Sequence, residues 1–471
     1  MTEDFYIKGF VKASILWFTG AALIGLLLAI QLYSPMFNFN SEYLNFGKLR
    51  PVHTNMIIFG FVTNFLIGTS LYVASKTCGV EIGNNKLLKI LFYGWQLTLS
   101  VGIFTLVLGF NSGKEYAEME WPIDILIGGL WALYTFLFFN ILKNRRENHI
   151  FVSNWFFAAF ILVVLFIYVV NNLAMPYSFL GAIPFFSGSM DAIVQWFWGH
   201  NAVGFLLTAG LIGANYYFIP KTTGRPIYSY RMSIIHFWGL VGFYTWAGAH
   251  HLIYTSVPVW IQNIGIVMSV ILWIPSWVGA YNSYKSVTIS SEVLKGNCTA
   301  WFFLAAIIYY ALATFEGPLL AIRWFNMISH YTDWIVGHVH SGGLGWVGMS
   351  AFGVFYYFVP SLFGKKELWS KKLQVVHFYL ANIGIFLYIF AMWVAGIAEG
   401  LMAFKLFSNG SLKYSFYDIM DFIDPWNLVR AIGGGCYVVG IFLMIINLYL
   451  TVTASETKVD DSSDELQQAV I

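Results

Sequence analysis

Charge is scarce in this sequence. Asp, Glu, Lys and Arg together make up 10% of 471 residues, against about a quarter in ordinary soluble domains. Hydrophobic residues make up 58%, so the polar surface is too small to cover the chain in water. That excludes a soluble globular protein and leaves lipid as the solvent. The net charge of +2 gives no support for nucleic-acid binding. Cysteine is rare as well. Cys78, Cys298 and Cys436 lie far apart and follow no metal-site spacing, so they read as small apolar filler. No CxxCH occurs, which excludes a covalently attached c-type haem on this chain. No small-residue cleavage site follows the first apolar run in MTEDFYIKGFVKASILWF, so it reads as a retained first span rather than a signal peptide. Internal repeats, low-complexity segments and a second domain are also lacking.

What is abundant is long apolar runs. A helix needs about 20 apolar residues to cross a bilayer. Twelve such stretches are predicted: 13–33, 51–74, 87–110, 123–142, 151–173, 190–219, 231–254, 259–284, 299–322, 332–360, 373–402 and 427–452. The chain therefore reads as an all-α membrane protein with twelve transmembrane helices. Residues 1–452 form one domain, and 453–471 form a polar, disordered cytoplasmic tail. Of the 25 Lys and Arg residues, Lys48, Arg50, Lys114, Arg323, Lys405, Lys413 and Arg430 fall on one side and the rest, Lys458 included, on the other. The positive-inside rule then places both termini in the cytoplasm.

Ten histidines are present. His53 opens span two, His200 lies within span six, His250 and His251 close span seven, and His338 and His340 open span ten. Even-numbered spans run inward and odd-numbered ones outward, so all six share the outer half of the membrane. One intramembrane His is commonly a packing residue bonded to a neighbour. Six at one depth point to function. His338 and His340 are about 200° apart on a helix and can serve two centres on opposite faces. His250 and His251 can reach one metal if His200 supplies a third imidazole, a donor set that suits copper with positions left open. His53 and His340 can hold a haem iron from both sides, and His338 a second haem from one side only. His149, His236 and His377 lie near cytoplasmic ends of spans, and His330 lies in an outer loop; these four read as interfacial residues.

The pattern His53, His200, Tyr244, His250–His251 and His338-Val339-His340 resembles the catalytic subunit of haem–copper oxygen reductases. WGHNAVGF (198–205), YTWAGAHH (244–251) and DWIVGHVHSGGLGW (333–346) resemble its cbb3 type. The resemblance spans nearly the whole chain and implies the twelve-helix subunit I fold. It implies two haems b, a low-spin one on His53 and His340 and a high-spin one on His338. It also implies one copper on His200, His250 and His251, with Tyr244 covalently joined to His200. Glu316 would accept a hydrogen bond from His338, Glu115 would bind a calcium ion, and Arg50 would meet a haem propionate.

The activity so implied is reduction of dioxygen to water, coupled to proton translocation, in a bacterial inner membrane. Electrons would come from cytochrome c-bearing partner subunits. Ser233, Thr208 and Tyr216 are candidates for a proton file from the cytoplasm. One rival is nitric oxide reductase, whose family carries a glutamate four residues after the span-six His and lacks the linked tyrosine; that position here is Gly204. A rival of another class is a proton-coupled transporter, whose site would sit near the midplane between inverted repeats. The histidines lie off-centre, and no matching halves are found.

Overall fold

The computed structural model describes residues 3–83, 85–289 and 291–454. Eleven of its helices are long and apolar enough to cross a membrane: Asp4–Tyr33, Phe46–Cys78, Asn85–Leu108, Trp121–Lys143, Val152–Asn171, Gly188–Thr223, Val259–Val287, Cys298–Ala321, Asp333–Leu362, Lys371–Ala403 and Phe416–Thr453. The twelfth, span seven, is shorter and more polar. It runs Tyr230–Ala247 and continues as a 3₁₀ turn, Gly248–Leu252. The chain is thus a multi-pass helical membrane protein. The predicted spans hold, with two clear shifts: the first begins at Asp4, nine residues before the expected 13, and the last begins at Phe416, eleven residues before the expected 427. That early turn is closed by a Ser415–Asp418 capping box, which satisfies backbone donors that an apolar-run count does not register. Arg430 is thereby a buried residue inside span twelve rather than one at its mouth. The expected disordered tail and Lys458 lie outside the described residues, apart from the last helical turn and Ala454.

Side-chain caps fix several helix starts at the bilayer edge. Asn45 accepts from the Lys48 backbone at span two, Ser229 from Met232 at span seven, Thr332 from Trp334 at span ten, and Ser370 from Leu373 at span eleven. A short antiparallel hairpin, Ala174–Ser178 with Gly181–Pro184, joins spans five and six. The bundle is layered. In the most apolar stretches of spans two, six and ten, 89%, 83% and 78% of residues are buried, against 28% for span one and 39% for span three. The three central spans carry four of the six clustered histidines.

Those same spans are not regular. A π-helical segment follows each histidine site almost at once: Met56–Val62 after His53, Ala202–Ala209 after His200, and Ser341–Gly348 after His340. A π turn widens the helix and redirects the side chains beside it, and such turns concentrate at functional sites. On span seven the 3₁₀ turn does the equivalent work for His250 and His251.

Candidate metal and haem centre

His200, His250 and His251 converge. Each offers a ring nitrogen, and these three atoms lie within 4.8 Å of one another. The His200 Nδ1 to His251 Nε2 distance is 3.3 Å, and the rings of His200 and His250 meet edge-on at 4.7 Å. Each ring is held by its own neighbour. Trp196, one turn before His200, stacks on His251 at 4.0 Å and 10°. Ser269 of span eight is hydrogen-bonded to His250 Nδ1 at 2.6 Å. Tyr244 lies over His200, with ring centroids 4.3 Å apart and planes 24° from parallel. His200 Nε2 is buried without a hydrogen-bond partner. A buried, unpaired imidazole nitrogen is costly, so the trio is incomplete as protein alone and fits a copper ion as its missing partner.

Gly204 explains how Tyr244 comes so close. A Cβ there would overlap the Tyr244 ring. The position that a glutamate would need is filled by the tyrosine.

His338 and His340 look in different directions. His338 lies within electrostatic reach of the trio, whereas His340 lies within reach of His53. In all three, Nδ1 faces an oxygen: Ala21 carbonyl for His53 at 2.8 Å, Val336 carbonyl for His340 at 2.8 Å, and Glu316 Oε2 for His338 at 3.5 Å. An Nδ1–H donated this way leaves Nε2 as the coordinating atom, which is the arrangement haem iron requires. Glu316 is buried on span nine and is held by Trp334 Nε1 and Ser341 Oγ, each at 3.2 Å.

Arg50 and Glu115 pair with each other at 2.5 Å, a contact that spacing could not reveal. The site also contains residues that sequence reasoning passed over. Buried Arg430 donates to Tyr388 Oη at 3.0 Å and lies 3.8 Å from Asp333. Tyr388 stacks on His340, and its Oη sits 3.3 Å from His340 Nε2; that contact would have to open for iron to bind there. An arginine fourteen residues into an apolar span was the available signal, since such a charge is rarely idle. Glu118, in the loop between spans three and four, accepts from Asn55 at 2.6 Å. Burial pushes its carboxyl up to about 7, against the lowering effect of that bond.

Toward the other end of the bundle, Asn282 donates to Ser233 at 3.1 Å and to Tyr216 at 3.5 Å. His236 Nε2 and Tyr310 Oη are 3.0 Å apart. Thr208 is buried, but none of these bonds reaches it. His236 and His377 correct the sequence expectation. Both are buried in the bundle rather than interfacial, and each is bonded to a tyrosine, His377 to Tyr356 at 2.9 Å. An apolar-run count sees only how far a residue is from the end of its span, not which neighbouring helices cover it. His149 is exposed and His330 half-buried.

With this geometry in hand, likeness to known proteins is informative. The sequence profile described as "Cytochrome C and Quinol oxidase polypeptide I" matches residues 6–436. The chain belongs to that family. It is 44% identical over 460 residues to a cbb3-type cytochrome c oxidase subunit of Stutzerimonas stutzeri, covering 98% of this chain and 97% of the relative. It is 44% identical to cytochrome c oxidase subunit 1 of Rhodobacter capsulatus, covering 96% and 86%. It superposes on a haem–copper terminal oxidase chain with a TM-score of 0.79, covering 97% of this chain and 85% of that one, at 16% identity. That likeness speaks for the fold alone. Membership of this oxidase family, on its cbb3-type branch, implies haems and copper, and a place as one subunit among others.

Proposed function

We propose that this oxidase subunit reduces dioxygen to water between a copper held by His200, His250 and His251 and a high-spin haem b on His338. His53 and His340 would hold a low-spin haem b, which supplies electron transfer when bound. The observation that carries this reading is the imidazole trio with Tyr244 stacked on one member above Gly204. The cofactors supply the electron-transfer and oxygen-binding chemistry. The residues of the chain orient, hold charge and move protons. Glu316 accepts the Nδ1 proton of His338 and raises the basicity of Nε2. Tyr244, stacked on His200 at 4.3 Å, offers a phenol beside the trio that would hold the copper. Arg430 and Arg50 are cations suited to haem propionates, and Glu115 carries a carboxylate suited to a calcium ion.

Protons would enter from the cytoplasm through Ser233, Asn282 and Tyr216, then through His236 and Tyr310, and reach Tyr244. Proton translocation coupled to turnover, cytochrome c-bearing partner subunits and a bacterial inner membrane with both termini cytoplasmic complete the proposal. A nitric oxide reductase is disfavoured because Gly204 has no room for the carboxylate that family uses. The test is metal and haem analysis of the purified complex. Two haems b and one copper per copy of this chain are expected. Non-haem iron in place of copper, or the absence of a pyridine haemochrome signal, would overturn the reading.

A further inference from the structure

Ser269 has one hydroxyl proton, and it is already committed. Ser269 Oγ donates to the carbonyl of Gly265, four residues earlier on span eight, at 2.6 Å. That back-bond is common for serine in membrane helices. The same oxygen lies 2.6 Å from His250 Nδ1. Having no second proton to give, it can only accept there, so the imidazole must carry hydrogen on Nδ1. The tautomer of His250 is therefore set, and its Nε2 is left with a free lone pair. Ser269 is buried, so water does not compete for this bond.

The approach that brings the two together is built into the backbone. A Cβ on Gly265 would lie 2.5 Å from the His250 backbone nitrogen and 2.8 Å from the Ala249 carbonyl carbon. Only glycine lets span eight press against the 3₁₀ turn that carries the two histidines. His200 and His251 are gripped by ring stacking, on Tyr244 and Trp196. Of the three, His250 is the one whose ring nitrogen is tied to a side chain outside the trio. Stacking fixes a ring plane but does not choose a tautomer; a hydrogen bond does both.

We propose that Ser269, seated by Gly265, is a positioning residue that holds His250 in the tautomer and rotamer needed for copper. The proposal rests on the copper reading above. Its role is not in the reaction itself but in retention and geometry of the metal, so activity is not the readout. The experiment is done on the purified oxidase complex, with the copper-to-haem ratio measured during titration with a Cu(I) chelator. Ser269→Ala removes the acceptor, leaves Nδ1–H buried and unpaired, and frees the ring to rotate. The expected result is copper loss at chelator concentrations roughly ten to a hundred times lower than in the parent, the usual scale for removing a ligand's hydrogen-bond partner. Haem content should stay unchanged. Ser269→Thr keeps the hydroxyl and should restore parental retention, which a merely space-filling role would not require. Should the alanine variant fail to assemble, Ser269→Cys carries the test, because sulfur fills the space and accepts poorly. Copper lost early from the cysteine variant supports the proposal. Parental retention in the assembled alanine variant, or in the cysteine variant that replaces it, overturns the proposal. A parent complex without copper would instead overturn the functional reading on which the proposal stands.

Discussion

Eight of the histidines fall into two populations, and the contrast teaches how the bundle separates chemistry from packing. His236 and His377 each lean on a single tyrosine, Tyr310 and Tyr356, at 3.0 and 2.9 Å. They sit in regular stretches of helix, on spans seven and eleven. The six clustered histidines lie beside π or 3₁₀ segments, and the ring of His200 meets those of His250 and His251 across two spans. A regular helix repeats its side-chain directions and limits how rings from neighbouring spans can be aimed at a shared centre. The irregular turns remove that constraint. Each costs some helix regularity, which is tolerable only where the surrounding packing over-determines the backbone.

The largest expected effect breaks the comparison directly. His251→Ala should remove the copper and bring oxygen reduction below detection, with haem retained. His377→Ala should leave copper, haem and turnover in place and instead lower stability by about 1–3 kcal/mol, the cost of leaving a buried Tyr356 hydroxyl unpaired. Metal analysis and thermal unfolding of both variants check this. Copper loss from the His377 variant would erase the distinction between the two populations.

A smaller effect divides the tyrosine-bonded pair itself. Tyr310 interacts electrostatically with Tyr216 and Tyr244, whereas Tyr356 borders a cavity of about 480 Å³ that also reaches Thr222, Thr299 and Gln374. Tyr310→Phe should therefore slow turnover, on the order of tenfold or more if it relays protons, with cofactor content unchanged. Tyr356→Phe should leave turnover close to that of the parent. Steady-state oxygen consumption at matched haem content decides between them. Equal slowing by both would argue for general disturbance of the bundle.

Much of this was legible from residues alone, for physical reasons. Apolar length fixes the spans because the bilayer sets it, and a shared depth for six histidines follows from span parity. The opposite faces of His338 and His340 follow from 100° per residue, and that arithmetic holds because both lie on the α-helical stretch before the π turn. It weakens for Tyr244 and His251, since the helix tightens between them at Gly248; there the two meet through His200 rather than along one face. Ser269, Trp196 and Tyr388 were not legible. Each matters through a neighbour on another span, and one sequence carries no information about which spans touch. Glu316 could be singled out only because a carboxylate in an apolar run is unusual, and Arg430 met the same criterion but was hidden by a span boundary drawn too late.

The smallest effect tests whether the cluster reaches the loop beside it. Glu118 lies between spans three and four and is bonded to Asn55, two residues after His53. Burial raises its carboxyl from 4.5 to about 7. The folded protein thus holds this proton more tightly than the unfolded chain does. The resulting stabilisation is fully present below pH about 4.5 and is lost as pH rises through about 7. Between about pH 6 and about pH 8 the change is on the order of 1 kcal/mol. Glu118→Gln keeps an oxygen for Asn55 but cannot ionise, so this part of the pH dependence should vanish. Thermal unfolding of the two complexes at the two pH values measures it. A variant that loses stability with pH as steeply as the parent would mean that Glu118 is already ionised at neutral pH. The tie between the loop and span two would then be a charge-assisted bond, and the cluster would extend further toward solvent than the six histidines alone indicate.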